Sequence, residues 1–125
     1  MQILVVDDET DVRELFQQRF RREIRSGEFT FNFAFSGEEA LKFMREHHSE
    51  VLIILSDINM PGMNGLELLG RVKEEFEMPP TTMMMITAYG DDDSYRQAME
   101  LGANDFLTKP VDFAILKTKL LQLLA

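Results

Sequence analysis

Five side chains of chemically useful type each come directly after a short apolar run. Asp7 and Asp8 follow Ile3 to Val6, and Asp57 follows Val51 to Leu55 and Ser56. Thr87 closes the run from Thr82 to Ile86, and Lys109 follows Asp105 to Thr108. If these runs lie side by side in one direction, three carboxylates, a hydroxyl and an ammonium meet at one edge. Carboxylates gathered at one place repel one another and raise each other's pKa. A hard divalent cation with oxygen ligands and retained waters relieves that repulsion, which points to Mg2+. Lys109 supplies a fixed positive charge. A carboxylate is also an established nucleophile toward phosphorus. A phosphoryl group on Asp57 would place one oxygen on the metal, a second on Lys109 and a third on the Thr87 hydroxyl. Phosphoryl transfer needs chiefly such positioning and charge neutralisation. Taken alone, an Asp at a strand end has a plainer reading as the cap of a turn or helix.

The elements around these residues make the meeting possible. Val51 to Leu55 is a run of aliphatics bounded by turn formers, which fits a buried strand, and Pro61, Gly62, Asn64 and Gly65 open the loop after Asp57. Ile3 to Val6 has the same design. Val12, Leu15, Phe16, Phe20 and Ile24 then recur at helical spacing and predict one amphipathic helix, stopped by Ser26-Gly27. Phe29, Phe31, Phe33 and Phe35 alternate with smaller or polar residues, which predicts an edge strand whose Phe stripe joins the core. Ser36 with Glu39 makes a capping-box pattern for a second helix, buried through Ala40, Leu41 and Met44. His47 and His48 near its end read as solvent-side residues rather than metal ligands.

Leu66, Leu69 and Val72 predict a third helix ended by Pro79-Pro80. Met83, Met84 and Met85 fill the core of the fourth strand. A short helix spans Ser94 to Leu101 and stops at Gly102. After the strand from Asp105 to Thr108, Asp112 caps a last helix carrying Phe113, Leu116, Leu120 and Leu123. Five strands alternating with five helices require parallel strands, right-handed crossovers and helices on both faces of the sheet. The Phe-rich strand suits an edge and the first and third strands carry acids, so the expected order is 2-1-3-4-5. In that order the acid-bearing strands are neighbours at the switch point where such sheets bind ligands.

The bulk composition agrees with one soluble domain over residues 1–125. Hydrophobic residues make up 45% and charged residues 28%, and no apolar run approaches the length of a membrane helix. Zero Cys excludes a disulfide scaffold, a thiol nucleophile and a Cys-based zinc site, and is compatible with the cytoplasm. The net charge of -9 argues against nucleic-acid binding. The acids from Glu74 to Glu77 and from Asp91 to Asp93 read as solvated ends and loops. There is no glycine-rich phosphate loop and no Ser-His-Asp pattern.

Four stretches, in this order and at this spacing, carry a specific resemblance: VVDDE (Val5 to Glu9), DINMPGMNG (Asp57 to Gly65), ITA (Ile86 to Ala88) and DFLTKP (Asp105 to Pro110). With them the chain resembles the receiver domain of two-component response regulators over essentially its whole length. The resemblance implies a flavodoxin-like (βα)5 fold, whose known strand order is the one expected above. It also implies a signalling switch. Asp57 would accept a phosphoryl group from a histidine kinase or phosphotransfer protein. Asp8 would bind Mg2+ directly, Asp7 would assist in part through water, and Asn59 would offer its backbone carbonyl. Lys109 would pair with the phosphoryl group, with a cis bond to Pro110, and Thr87 and Phe106 would be the switch pair. Asn59 and Tyr89 would tune the lifetime of the phosphoryl group. The face of the fourth helix, fifth strand and fifth helix would meet a target, an effector domain or a second copy, with Tyr95, Arg96, Met99, Phe106 and Lys117 as candidates. The protein would catalyse only its own phosphorylation and dephosphorylation.

The alternative is an Asp-nucleophile phosphohydrolase. Such an enzyme usually places its nucleophile after the first strand with a second Asp two residues on, and carries a cap for substrate choice. Here Asp7 is followed by Asp8 and Glu9. A flavodoxin-like cofactor binder would want a Ser/Thr/Gly-rich loop where this chain has acids.

Overall fold

The computed structural model describes residues 1–77, 81–88 and 92–124. Strands β1 (Gln2–Val6), β2 (Thr30–Ala34), β3 (Val51–Asp57), β4 (Thr82–Ala88) and β5 (Asp105–Lys109) form one sheet in the order β2-β1-β3-β4-β5. Every pairing in it is parallel. The expected α/β class, strand order and placement of β2 at an edge are all present. β3 lies at the centre, and from Ile53 to Asp57 it is buried throughout, which is why it reads as aliphatics rather than as an alternation.

The helices are α1 (Val12–Arg19), α2 (Arg21–Arg25), α3 (Gly37–His47), α4 (Gly65–Glu75), α5 (Asp92–Glu100) and α6 (Phe113–Leu124). Six helices stand among the described residues where five were expected, because the first is broken at Phe20. That residue has φ -111° and ψ 27°. No Gly or Pro causes the break. It falls on a fully buried ring that packs within 6 Å of the rings of Phe16, Phe29, Phe31 and Phe113. Burying such a ring contributes about 1.5–3 kcal/mol, which exceeds the cost of one distorted helical residue.

Side chains alternate between two cores, one on each face of the sheet. Leu4, Val6, Ile54, Met83 and Met85 pack beneath α3, α4 and α5. Ile3, Val5, Ile53, Leu55, Met84 and Ile86 pack beneath α1 and α6, joined by Phe16, Phe20 and Phe29. Phe31 and Phe33 lie against the second core, whereas Phe35 belongs to neither. The methionine run is core, as expected. Two positions on expected apolar stripes are not buried: Leu15 is 41% exposed and Leu123 40%. Leu15 borders the open cleft beside α1.

Local signals act largely as read. The Ser36 hydroxyl accepts from the Glu39 N–H at 3.0 Å, but the Glu39 carboxylate reaches back to the Phe35 N–H rather than to that of Ser36. Asp112 accepts from the N–H groups of Ala114 and Ile115. His47 and His48 are half-buried and lie against the rings of Phe43 and Phe76. Pro79, Pro80 and Tyr89 lie outside the described residues. No helix among the described residues is long and apolar enough to cross a membrane.

Candidate functional site

Parallel strands bring their C-terminal ends to one edge, and here that edge collects the acids. Asp7, Asp8 and Asp57 each offer a carboxylate oxygen within 4.8 Å of the others. Asp7 and Asp57 are buried and Asp8 is exposed. The Lys109 ammonium lies between the two buried acids, 2.9 Å from Asp57 Oδ2 and 3.5 Å from Asp7 Oδ2. The remaining oxygens are held by backbone. Asp57 Oδ1 accepts from the Asn59 N–H at 3.3 Å, and Asp7 Oδ1 accepts from the Glu9 N–H at 2.9 Å. A set of hard oxygen donors this close, one of them open to solvent, fits Mg2+ with several waters kept.

The electrostatics follow from burial. Burial raises the pKa of Asp7, aided by the charges of Asp57 and Glu9. The Glu9 backbone bond and Lys109 only partly oppose it. Burial pulls Lys109 down, but the Asp57 hydrogen bond and the charges of Asp57, Asp7 and Glu9 outweigh it, so its pKa is raised. Lys109 is therefore a cation at any physiological pH. The bond from Lys109 to Pro110 is cis.

Asp57 is set in place by the loop that follows it. Gly62 has φ +71°, in the region that favours glycine. The Met63 N–H donates to Glu38 Oε1 on α3 at 3.2 Å. Gly65, at the start of α4, donates its N–H to the Ile58 carbonyl at 2.8 Å. A Cβ on Gly65 would overlap the Asp57 carbonyl oxygen and lie 2.7 Å from Ile58 Cα. The Ser56 hydroxyl donates to the same Asp57 carbonyl at 3.0 Å. The contacts of Gly65, Ser56 and Glu38 were not foreseen from sequence. The PGMNG stretch signals a loop, but not how tightly it folds back.

Thr87 stands on β4 one residue beyond Ile86, the register partner of Asp57. It is fully buried, and its hydroxyl has no hydrogen-bond partner among the described residues. A buried unmatched hydroxyl is costly, and one beside the acid cluster fits an acceptor supplied by a ligand. Phe106 pairs in register with Met85 on the same side of the sheet as Thr87. Its ring is half-buried and meets Tyr95 of α5 edge-on, 5.0 Å between centroids. Of the residues expected on the neighbouring face, Tyr95 and Met99 are exposed, at 50% and 42%. Lys117 turns the other way and pairs with Glu23 of α2 at 3.1 Å, so it does not belong to that face.

A cleft of about 730 Å³ opens beside the acids. Asp7, Glu9 and Lys109 stand at its charged end, and Val12, Phe16, Val111 and Phe113 line its apolar part.

The family model of the response regulator receiver domain matches residues 3–121. A 14.6 kDa protein from the sodA1 3' region of Leptolyngbya boryana is 39% identical over 112 residues, covering 90% of this chain and 81% of that protein. A chemotaxis protein CheY homolog of Campylobacter jejuni is 32% identical over 120 residues, covering 96% of this chain and 89% of that one. Longer regulators match as well, and the chain spans 24% to 49% of the length of several of them. Among solved structures, TrrA of Thermotoga maritima in complex with Mg(2+)-BeF superposes with a TM-score of 0.78 at 31% identity, covering 98% of this chain and 97% of that one. The match to the family model runs through every strand and takes in the acids after β1, the loop after β3 and the Lys-Pro at the end of β5. The chain therefore belongs to the response regulator receiver domain family.

Proposed function

We propose that this chain, acting as one receiver domain over residues 1–125, is a phosphorylation-activated signalling switch. Asp57 is the phosphoacceptor and a histidine kinase or phosphotransfer protein is the donor. The observation that carries the reading is the Lys109 ammonium held between the buried carboxylates of Asp57 and Asp7. It leaves a carboxylate nucleophile beside a fixed cation that borders the cleft.

An oxygen of Asp57 attacks phosphorus. The new O–P bond forms as the N–P bond of the donor phosphohistidine breaks, and the imidazole leaves with the bonding pair and takes up a proton. Mg2+, held by Asp7, Asp8 and Asp57 with the Asn59 backbone carbonyl, would neutralise charge on the transferring oxygens. Lys109 stays within reach of Asp57 and balances the added negative charge. The Asn59 N–H and the tight turn at Gly65 keep the carboxylate aimed. The Thr87 hydroxyl, otherwise unmatched, donates to a phosphoryl oxygen. Drawing Thr87 inward vacates space on the α5 side of the sheet, where Phe106 can bury its ring further. The donor meets the cleft between α1 and the segment before α6, whose apolar part can seat a side chain while Asp7 and Lys109 at its charged end adjoin Asp57. The α5-β5-α6 face then meets a target protein, an effector domain or a second copy. The reactions catalysed are the protein's own phosphorylation and dephosphorylation, in the cytoplasm. An Asp-nucleophile phosphohydrolase is not favoured: Asp57 ends the third strand rather than the first, and no cap is inserted among the described residues.

The test is labelling with acetyl phosphate and Mg2+. One hydroxylamine-labile phosphoryl group is expected in the wild type, none in Asp57→Asn, and slowed incorporation with weaker Mg2+ binding in Asp8→Asn. Stoichiometric label in Asp57→Asn would place the nucleophile elsewhere.

A further inference from the structure

The two helical layers differ in charge as well as in core. α3, α4 and α5 carry nine acids against five basic residues. On the other face the balance is reversed. Arg13, Arg19, Arg21, Arg22 and Arg25 lie on α1 and α2, with Lys117 and Lys119 on α6, against only Glu14 and Glu23. In a chain of net charge -9 this is a concentrated exception. All five arginines are exposed, and none has a carboxylate within 4.0 Å among the described residues. Arg19 lies over the ring of Phe113 at 5.4 Å. Glu23, the buried acid among them, is already neutralised by Lys117.

Between these helices runs a groove of about 410 Å³. Arg19, Arg21, Arg22 and Lys117 border it, and Phe113 and Ala114 contribute apolar wall. It shares Arg19 and Phe113 with the cleft beside the acids and extends away from that edge through Arg21, Arg22 and Lys117. α1 starts at that edge and runs back, and α2 feeds the first end of β2, where the Phe29 N–H donates to the Glu23 carbonyl at 3.1 Å. Arg21, Arg22 and Arg25 therefore lie toward the pole opposite Asp57.

We propose that this arginine flank and its groove are a docking surface for an acidic polypeptide segment. Guanidinium groups match carboxylates two bonds at a time. Arginine beside apolar wall is the composition of protein interfaces. A nucleic acid is disfavoured by the overall negative charge, which repels a polyanion carrying one charge per about 1.7 Å. A polypeptide spaces its acids farther apart and can place an apolar side chain in the groove. A second copy offering its acidic α3-α4-α5 layer would join opposite faces of the sheet, a head-to-tail contact that builds rings or filaments rather than a two-fold pair.

Fluorescence anisotropy of a short labelled glutamate-rich peptide with a central leucine tests this on the full chain. The peptide binds the wild type, more weakly as salt rises. The Arg21→Gln, Arg22→Gln, Arg25→Gln variant replaces exposed side chains and keeps the fold by circular dichroism. It should lose about tenfold or more in affinity. The peptide with glutamine in place of glutamate does not bind. Asp57→Asn binds as the wild type does, which keeps this inference independent of the phosphoacceptor reading. Equal binding by the triple variant, or no binding at low salt, overturns it. So does displacement of the peptide by duplex DNA at lower concentration than by unlabelled peptide, or protein self-association that the triple variant abolishes.

Discussion

Replacing Thr87 by Val should make the unphosphorylated protein more stable, not less. Most buried substitutions destabilise, so the sign is informative. The Thr87 side chain is wholly enclosed and its hydroxyl is unmatched among the described residues. An unmet buried hydroxyl costs about 1–3 kcal/mol. Val keeps the branched shape suited to a strand and removes the polar atom. For a chain of this size each kcal/mol moves the midpoint by roughly 3–6 °C, so a rise of at least a few degrees is expected. The second half of the prediction has the opposite sign. With beryllofluoride and Mg2+ as stand-in for the phosphoryl group, wild type gains a charge-assisted hydrogen bond that Val cannot make. Such bonds contribute about 1.5–3 kcal/mol, so the affinity deduced from ligand-induced stabilisation should fall by roughly tenfold or more. Differential scanning calorimetry with and without ligand measures both terms, and Thr87→Ser, which keeps a hydroxyl, should recover much of the second. A destabilised Thr87→Val with undiminished beryllofluoride stabilisation would refute the assignment: the hydroxyl would then have a partner in the resting fold and none in the phosphorylated one.

Three further outcomes follow from the site. Asp7 has a raised pKa because it is buried. A raised folded-state pKa means that the fold disfavours the charged form and loses stability as pH rises through that value. Asp7→Asn should therefore raise the metal-free midpoint at neutral pH and shrink the stabilisation by Mg2+; a fall in the metal-free midpoint would contradict this. Gly65→Ala should cost about 1–3 kcal/mol by overpacking, because the new Cβ meets backbone of Asp57 and Ile58. It should also slow labelling by acetyl phosphate, and a denaturant midpoint and labelling rate like those of the wild type would count against it. Lys109→Ala should still accept a phosphoryl group, more slowly, but should lose the phosphorylation-dependent gain in partner affinity; full activation in a binding assay would leave Lys109 a mere charge balance.

The parts legible in the sequence are those that local pattern encodes. A parallel strand buried on both faces must be aliphatic along its length, so β1 and β3 announce themselves, and with them the acids at their tips. The caps at Ser36 and Asp112 are short-range and recoverable in the same way, whereas Asn64, read only as a loop residue, proves also to cap α4 by accepting from the Glu67 N–H. What escaped depends on tertiary packing. The helical period runs through Phe20 without interruption, so nothing local marks the break that the aromatic cluster imposes. Leu15 and Leu123 match the apolar stripes of their helices, yet whether a stripe residue is covered depends on how far its neighbour extends. Lys117 lies one helical turn from Phe113 in sequence, but its partner Glu23 is distant in the chain, so its side could not be read. The orphan hydroxyl of Thr87 is invisible to any pattern, because it is defined by the absence of a partner.

In the proposed switch, the state of Phe106 constrains how a signal would leave the site. Were the ring fully exposed at rest, burying it would contribute about 1.5–3 kcal/mol. It is already half-buried, against the core and against Tyr95. The remaining gain is smaller, and the Thr87 contact adds about 1–3 kcal/mol. Together they can lift a minor state of a few per cent to a majority but fall short of the 5.5 kcal/mol or so that a shift from 1:99 to 99:1 requires. Phosphorylation alone should then leave a mixed population, and a partner that prefers the buried ring must supply the rest. Reciprocity fixes the consequence: that partner favours phosphorylation by the factor by which phosphorylation favours it. In the proposed switch Tyr95 would be the element through which the two are coupled. It touches Phe106 on one side and is half exposed on the other, so a move of the Phe106 ring alters the surface that a partner on α5 meets.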